Sequence, residues 1–316
     1  MEYIAGSGAL SHPLQNPVVT VGNFDGLHIG HRAITDTVVT RARALDGCAV
    51  VYTFEPHPIR VLRPDRAPRL LTTIEQKIEL IEQAGIDALI VEQFDKEFAA
   101  IDAEEFIRKI LYERIRPVEV YVGYNFHFGR DREGSMRMLT ELGPKLGFAV
   151  TIVPEVTIDE GDVNSTTIRK LLVEARVEEA SRMLGRPYSI RGSIVQGEGR
   201  GRTLGFSTAN LQPENEVLPA SGVYAGRLRF LDDGVPGRGE DLPAVMNVGH
   251  RPTFGDTNGV QAEAHLIDFD GDVYGRRVEL LFFSRLRSEK RFPGVEALRE
   301  QIASDVVEAR RLLGLS

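Results

Sequence analysis

Val18-Val19-Thr20-Val21-Gly22-Asn23-Phe24-Asp25-Gly26-Leu27-His28-Ile29-Gly30-His31 is an apolar run that breaks at two glycines and opens into a helical pattern, with apolar positions at Ile34, Val38, Ala42 and Leu45. A strand that stops and turns into a helix leaves the helix N-terminus facing outward with unpaired N–H groups. Such an end attracts phosphate. His28 and His31 on the first turn can donate hydrogen bonds to oxyanions that develop during displacement at phosphorus, and Gly30 removes a side chain where a ligand must approach. In isolation two such histidines would be a metal half-site or a solvated pair. With Gly22 and Phe24 ahead of them, every local feature asks for a nucleotide phosphate.

Working outward, strand-like and helix-like segments alternate from 18 to 156. The strand candidates Val18–Phe24, Ala49–Phe54, Ala88–Phe94, Glu119–Phe126 and Ala149–Val156 are near-continuous apolar runs, the kind buried on both faces. Thr72-x-x-Glu75 opens a helix carrying Ile74, Ile78 and Ile81 that stops at Gly85, and Asp102-x-x-Glu105 opens another carrying Phe106, Ile110 and Leu111. Repeated strand–helix units predict an α/β fold with a doubly wound parallel sheet. After about residue 185 the texture changes. Ser189–Val195, Gly222–Leu231, Ala244–Val248, Gln261–Phe269 and Arg277–Phe283 are short apolar runs separated by Gly, Pro, Asp and Asn, a spacing that suits an antiparallel barrel or sandwich. Val295, Leu298, Ile302, Val306 and Ala309 predict a C-terminal helix. The expected domains are therefore 1–185 and 186–316. Asp232–Asp241 reads as a solvated loop.

A chain of 316 residues, 42% of them apolar, can fill two cores. Its net charge is −8; the first 185 residues hold 21 basic and 28 acidic residues, and the remainder 17 and 18. Neither half is a basic module, which argues against extended nucleic-acid binding. Anionic ligands must be held by local donors and metal ions. Cys48 is the only cysteine and stands beside Ala49-Val50-Val51, so a buried small residue in a reducing compartment is expected. There is no run of about eighteen apolar residues and no charged-then-apolar leader, so a cytoplasmic protein without membrane partners is expected.

Two further patches should join the histidines beyond the carboxyl ends of the strands: Gly123-Tyr124-Asn125-Phe126-His127-Phe128-Gly129, and Asn164-Ser165-Thr166-Thr167-Ile168-Arg169, where hydroxyls at a helix start precede an arginine one turn on. The opening run resembles the phosphate-binding motif of the nucleotidylyltransferase superfamily, whose sheet is Rossmann-type. With Phe54-Glu55-Pro56-His57-Pro58 and Leu71-Thr72-Thr73 it resembles, over essentially the whole chain, the bacterial bifunctional riboflavin kinase/FAD synthetase family. The resemblance implies that the first domain adenylylates FMN: its phosphate attacks the α-phosphorus of ATP, giving FAD and pyrophosphate. It implies that His28 and His31 stabilise the transition state, that Gly22, Phe24, Gly30 and Asn125 contact substrate, and that Ser165, Thr166 and Arg169 hold ATP phosphates. Asn164 stands where a serine is common. Direct displacement needs alignment and charge stabilisation but no nucleophile, and Mg2+ is expected on the polyphosphate.

In the second half, Gly197-Glu198-Gly199-Arg200-Gly201-Arg202-Thr203 lacks a Walker lysine and no helical stripe follows it, so a glycine-rich flap over a nucleotide fits better than a P-loop. Thr208 and Asn210 are hard oxygen donors suited to Mg2+ bridging ATP phosphates. The same family resemblance covers Arg200-Gly201-Arg202-Thr203-Leu204-Gly205-Phe206, Ser207-Thr208-Ala209-Asn210, Gly222–Ala225, Asn247–Gly255 and Asp272–Gly275, with Ser207 in place of a proline. It implies a β-barrel riboflavin kinase in which Gly197 and Arg202 cover the nucleotide and Thr208 and Asn210 hold the metal. Glu263 is implied as the base that takes the ribityl 5′-hydroxyl proton during attack on the γ-phosphorus. The chain thus reads as an enzyme that makes FMN from riboflavin and FAD from FMN, with ATP, riboflavin and FMN as its partners. The competing readings are another His-x-Gly-His adenylyltransferase, a class I aminoacyl-tRNA synthetase, or a flavin carrier without turnover. A Lys-Met-Ser-Lys loop is absent, and intact His28, His31 and Glu263 argue for turnover.

Overall fold

The computed structural model describes residues 1–159, 161–196, 206, 208–232, 240–250, 260–269 and 271–315, the side chains at 250 and 260 excepted. Gly197, Arg202 and Ser207 lie outside the described residues, as do 233–239 of the expected solvated loop and 251–255 of the Asn247–Gly255 motif. The chain divides into two compact units, Met1–Arg69 with Ile74–Asn164, and Leu70–Thr73 with Ser165–Ser316.

In the first unit, β1 (Glu2–Ile4), β2 (Val18–Val21), β3 (Ala49–Glu55), β4 (Ala88–Gln93), β5 (Glu119–Gly123) and β6 (Ala149–Val153) form one parallel sheet in the order β1-β4-β3-β2-β5-β6. Alternate residues of the central strands feed two cores. Val19, Val21, Val50, Tyr52 and Ile90 pack with Phe106, Ile107 and Leu111 on one face, while Val18, Val51 and Leu89 pack with Val38, Ala42 and Ile81 on the other. Helices α1 (Ile29–Ala44), α2 (Pro58–Leu62), α3 (Ile74–Gln83), α4 (Lys96–Ala99), α5 (Ala103–Glu105, prolonged as a π-helix through Phe106–Ile115) and α6 (Met136–Leu146) connect the strands. Asp102 Oδ1 accepts the Glu105 N–H at 2.7 Å, the cap that Asp102-x-x-Glu105 predicts. One expectation fails: β6 is an edge strand with Ala149, Thr151 and Ile152 exposed, because apolar composition does not report where a sheet ends. A short pair, β7 (Thr157–Ile158) and β8 (Gly161–Asp162), follows.

In the second unit, α7 (Ser165–Val173) and α8 (Val177–Leu184) precede β9 (Tyr188–Val195), β10 (Thr208–Pro213), β11 (Gly222–Phe230), β12 (Asp241–His250), β13 (Val260–Leu266) and β14 (Arg277–Arg287). These six strands close an antiparallel barrel in the order β10-β13-β12-β11-β14-β9, since β9 pairs with both β10 and β14. That closure decides between barrel and sandwich. Ile168, Leu171, Leu172, Val177, Ala180 and Leu184 share one core with Tyr188, Tyr224, Met246 and Phe282 of the barrel. The packing boundary therefore falls at 164/165, ahead of the change in texture at 185, because the apolar faces of α7 and α8 are buried on the barrel. Helix α9 (Val295–Leu312) lies outside the barrel, with Ala309 and Val306 against Val223, Ala225 and Val245. Among the described residues no helix is long and apolar enough to cross a membrane.

Candidate active sites

The strand order of the first unit reverses between β2 and β5, and ligands of doubly wound sheets bind beyond the strand ends at such a point. The loop that leaves β2 there is strained and well anchored. Phe24 and Leu27 have φ of 49° and 34°, a region that costs non-glycine residues energy, and each side chain is 1% exposed in the core. Gly26 takes a φ of 80° at little cost. A Cβ on Gly22 would meet the Phe24 ring at 3.2 Å, so this glycine makes room for the ring that holds the loop. The Phe24 side chain is thus part of the core, and its exposed neighbour is Asn23.

His28 caps α1. Its Nδ1 accepts the His31 N–H at 3.3 Å, which assigns the proton of the neutral ring to Nε2. A Cβ on Gly30 would stand 3.1 Å from that Nδ1 and 3.5 Å from the Val163 carbonyl, so the absent side chain lets the His28 ring lie close to the main chain. The His28 and His31 rings stack at 3.7 Å with 18° between their planes, and Phe24 tilts against His31 at 5.1 Å. Burial, with the nearby His28 and Lys77, holds the His31 pKa well below the ordinary 6.5. His31 is therefore neutral at pH 7, and its buried Nδ1 has no hydrogen-bond partner among the described residues. The first turn of α1 carries no acidic residue, leaving the positive end of the helix dipole uncompensated there.

At the end of β5, a Cβ on Gly123 would lie 3.7 Å from both Asn125 Oδ1 and Ile34 Cδ1 of α1. This brings the exposed Asn125 amide beside α1. The neighbouring Tyr124 hydroxyl donates to Glu155, which pushes its pKa up to about 12. His57 caps α2, accepting the Ile59 N–H at 3.3 Å, and is a buried turn histidine. Sequence reading missed Lys77. It is 3% exposed on the apolar stripe of α3, and burial lowers its pKa while Glu55 and Asp25 raise it. A lysine one turn from Ile74 and Ile81 was the available signal.

Ser165, Thr166 and Arg169 belong to the second unit, on the first turns of α7, with Thr166 exposed and the other two partly so.

The barrel site follows from strand register. On β13, Ala262, Ala264 and Leu266 point into the core while Gln261, Glu263 and His265 share the outer face. Asn210 of β10 and Asn247 of β12 stand directly opposite Glu263, and Thr208 and Val245 stand opposite His265. Opposed side chains of neighbouring strands are about 5 Å apart, so the pairing brings Thr208, Asn210 and Glu263 onto one surface. Thr208 and Glu263 line a cavity of about 390 Å3 together with Asn247, Gln261, His265, Glu289 and Lys290, closed by Phe206, Phe292, Leu298 and Ile302. Phe206 meets His265 edge-on at 5.2 Å. The helix side of the cavity is held by Arg287, whose Nη2 lies 2.7 Å from Asp305 Oδ2 of α9 with both side chains largely buried. Among the described residues no cluster of three or more His, Cys, Asp or Glu forms an all-protein metal site. Thr208 and Asn210 are neutral oxygen donors, which suit a hard cation that brings phosphate and water ligands with it.

Two family models match the chain: FAD synthetase over residues 11–167 and riboflavin kinase over 184–313. A bifunctional riboflavin kinase/FMN adenylyltransferase of Escherichia coli (strain K12) is 37% identical over 319 residues, covering 100% of this chain and 99% of that protein. Proteins of the same description from Pseudomonas fluorescens and Bacillus subtilis (strain 168) are each 36% identical, covering 99% and 93% of this chain and 98% and 92% of theirs. Among solved structures, a Streptococcus pneumoniae protein described as a macrolide-efflux protein superposes with a TM-score of 0.85 at 28% identity, covering 98% of each chain.

Proposed function

Since the chain belongs to the bifunctional riboflavin kinase/FMN adenylyltransferase family, we propose that its two activities reside at the two surfaces described above, the adenylyltransferase at the β2–α1 turn and the kinase on the outer face of β13. The register that sets Glu263 between Asn210 and Asn247 and next to Thr208 is the observation that carries the kinase assignment.

At the first site, FMN phosphate displaces pyrophosphate from ATP without a covalent intermediate. The N-terminus of α1 and the His28 ring, with its proton on Nε2, donate to the oxygens on which charge grows. His31 stacks on His28 and stays neutral, which fixes the ring plane and avoids two like charges in contact. Asn125 orients substrate, and Ser165, Thr166 and Arg169 are assigned to ATP phosphates on the family resemblance alone. At the second site Glu263 accepts the proton of the ribityl 5′-hydroxyl as it attacks the γ-phosphorus, and Phe292, Leu298 and Ile302 receive the flat apolar ring. Thr208 and Asn210 would hold Mg2+, which when bound neutralises polyphosphate charge. Gly197 and Arg202 are assigned to nucleotide binding on the family resemblance alone. The lone thiol, Cys48, with burial pushing its pKa up to about 11, suits the cytoplasm.

Incubation with riboflavin, ATP and Mg2+, followed by separation of the flavins, tests the reading. FMN and then FAD are expected; formation of neither overturns it.

A further inference from the structure

Gln261 lines the barrel cavity, and this chemistry gives it no role. Its Oε1 is buried and has no hydrogen-bond partner among the described residues, and the side chain lines the cavity. A buried acceptor without a donor is costly and is retained where a ligand supplies the donor. Its neighbourhood is built to keep that surface polar. Gly249 stands opposite Gln261 on β12, and a Cβ there would come within 2.3 Å of Glu289 Oε1, so the absent side chain admits a second acceptor beside the first.

The register shows which ligand faces this acceptor. Thr208, assigned to the metal and polyphosphate, is opposite His265, on one side of Glu263; Gln261 lies on the other. Polyphosphate oxygens offer no donors at neutral pH, so the partner is on the flavin side of the reacting hydroxyl. Two residues of strand span roughly 7 Å, about the length of an extended five-carbon chain with its terminal hydroxyl, so an acceptor two residues from Glu263 falls along the ribityl chain. We propose that Gln261 Oε1 accepts a hydrogen bond from a secondary hydroxyl of the ribityl chain and thereby positions the 5′-hydroxyl at Glu263. This rests on the assignment of the cavity to the kinase.

The test measures binding of riboflavin and of lumiflavin, which has the same ring but no ribityl chain, by fluorescence quenching on the full chain. Gln261→Met keeps the length of the side chain and removes the acceptor. Riboflavin should bind roughly three- to tenfold more weakly, the range of one neutral hydrogen bond, while lumiflavin binds as to the parent. Gln261→Glu, which keeps an acceptor in place, should retain riboflavin, and it carries the test if the methionine variant does not fold. Unchanged riboflavin binding by Gln261→Met, equal weakening of both flavins, or loss of riboflavin by a folded Gln261→Glu would each overturn the role. Failure of the parent to bind or phosphorylate riboflavin would instead refute the kinase assignment.

Discussion

His28 holds two jobs that substitution can separate. As the α1 N-cap it accepts the His31 N–H at 3.3 Å through Nδ1, and as a proposed transition-state donor it acts through Nε2. His28→Ala removes both. Loss of a cap costs about 1 kcal/mol, which for a unit of this size lowers the melting temperature by about 2–4 °C. Loss of a donor to a developing oxyanion slows the step by about 100- to 1000-fold. His28→Asn restores a strong N-cap, because the shorter amide oxygen reaches the same N–H groups, but it cannot place a donor where Nε2 stood. The expected pattern is that both variants lose FAD formation by a similar factor while only His28→Ala melts earlier. FMN should accumulate in both, since Glu263 and its surroundings lie in the barrel. The assay is FAD and FMN production from riboflavin and ATP, with calorimetry on the same samples. Full FAD formation by His28→Asn would show that the imidazole is only a cap. Loss of FAD formation in step with melting temperature would show that the defect is one of folding.

Glu263→Gln keeps size and hydrogen bonding but cannot take a proton, so phosphorylation of riboflavin should slow by about 100- to 10000-fold, while FMN supplied directly is still adenylylated at near the parental rate; a kinase rate within a few-fold of the parent removes Glu263 from the mechanism. Thr208→Ala deletes one oxygen ligand and should raise the Mg2+ concentration needed for half-maximal kinase activity, read by titration; an unchanged requirement places the ion elsewhere. The folded His31 ring resists protonation, so the unfolded chain binds the proton first as pH falls below 6.5. Stability is therefore unaffected by this group above that pH and is lost below it, and His31→Phe should show a smaller drop in urea midpoint between pH 7.5 and 5.5 than the parent. Arg287→Met leaves Asp305 buried without its guanidinium and should destabilise the barrel unit by about 3–5 kcal/mol; a change under 1 kcal/mol in chemical denaturation would show that the pair is solvated in solution.

Much of this protein follows from local pattern. Each strand–helix unit around β2 to β5 carries its own periodicity, cap and glycine stop, and those signals act over a few residues, so no neighbour is needed to read them. The His28–His31 site was legible for the same reason: its glycines, its cap and its helix are contiguous. β10 was not. Thr208–Pro213 buries only Ala209 and Leu211, too few residues to show a period, and it becomes a strand because β9 and β13 supply hydrogen-bond partners on either side.

What tertiary structure alone decided lies at longer range. The apolar stripes of α7 and α8 are visible in the sequence, but nothing in them states that they bury against the barrel, so the compact units divide at 164/165 while the change in texture falls at about 185. Barrel closure depends on β9 meeting both β10 and β14, and edge exposure of β6 depends on the absence of a further strand pairing with it among the described residues. The buried Lys77, the Arg287–Asp305 pair and the unpartnered Gln261 oxygen could not be read as such, because burial and hydrogen-bond satisfaction are properties of what surrounds a residue. Sequence determined which chemical groups the chain carries and the period in which each segment presents them. Their mutual distances arise from pairings between segments far apart in the chain, whose free energy is realised only when the whole core assembles.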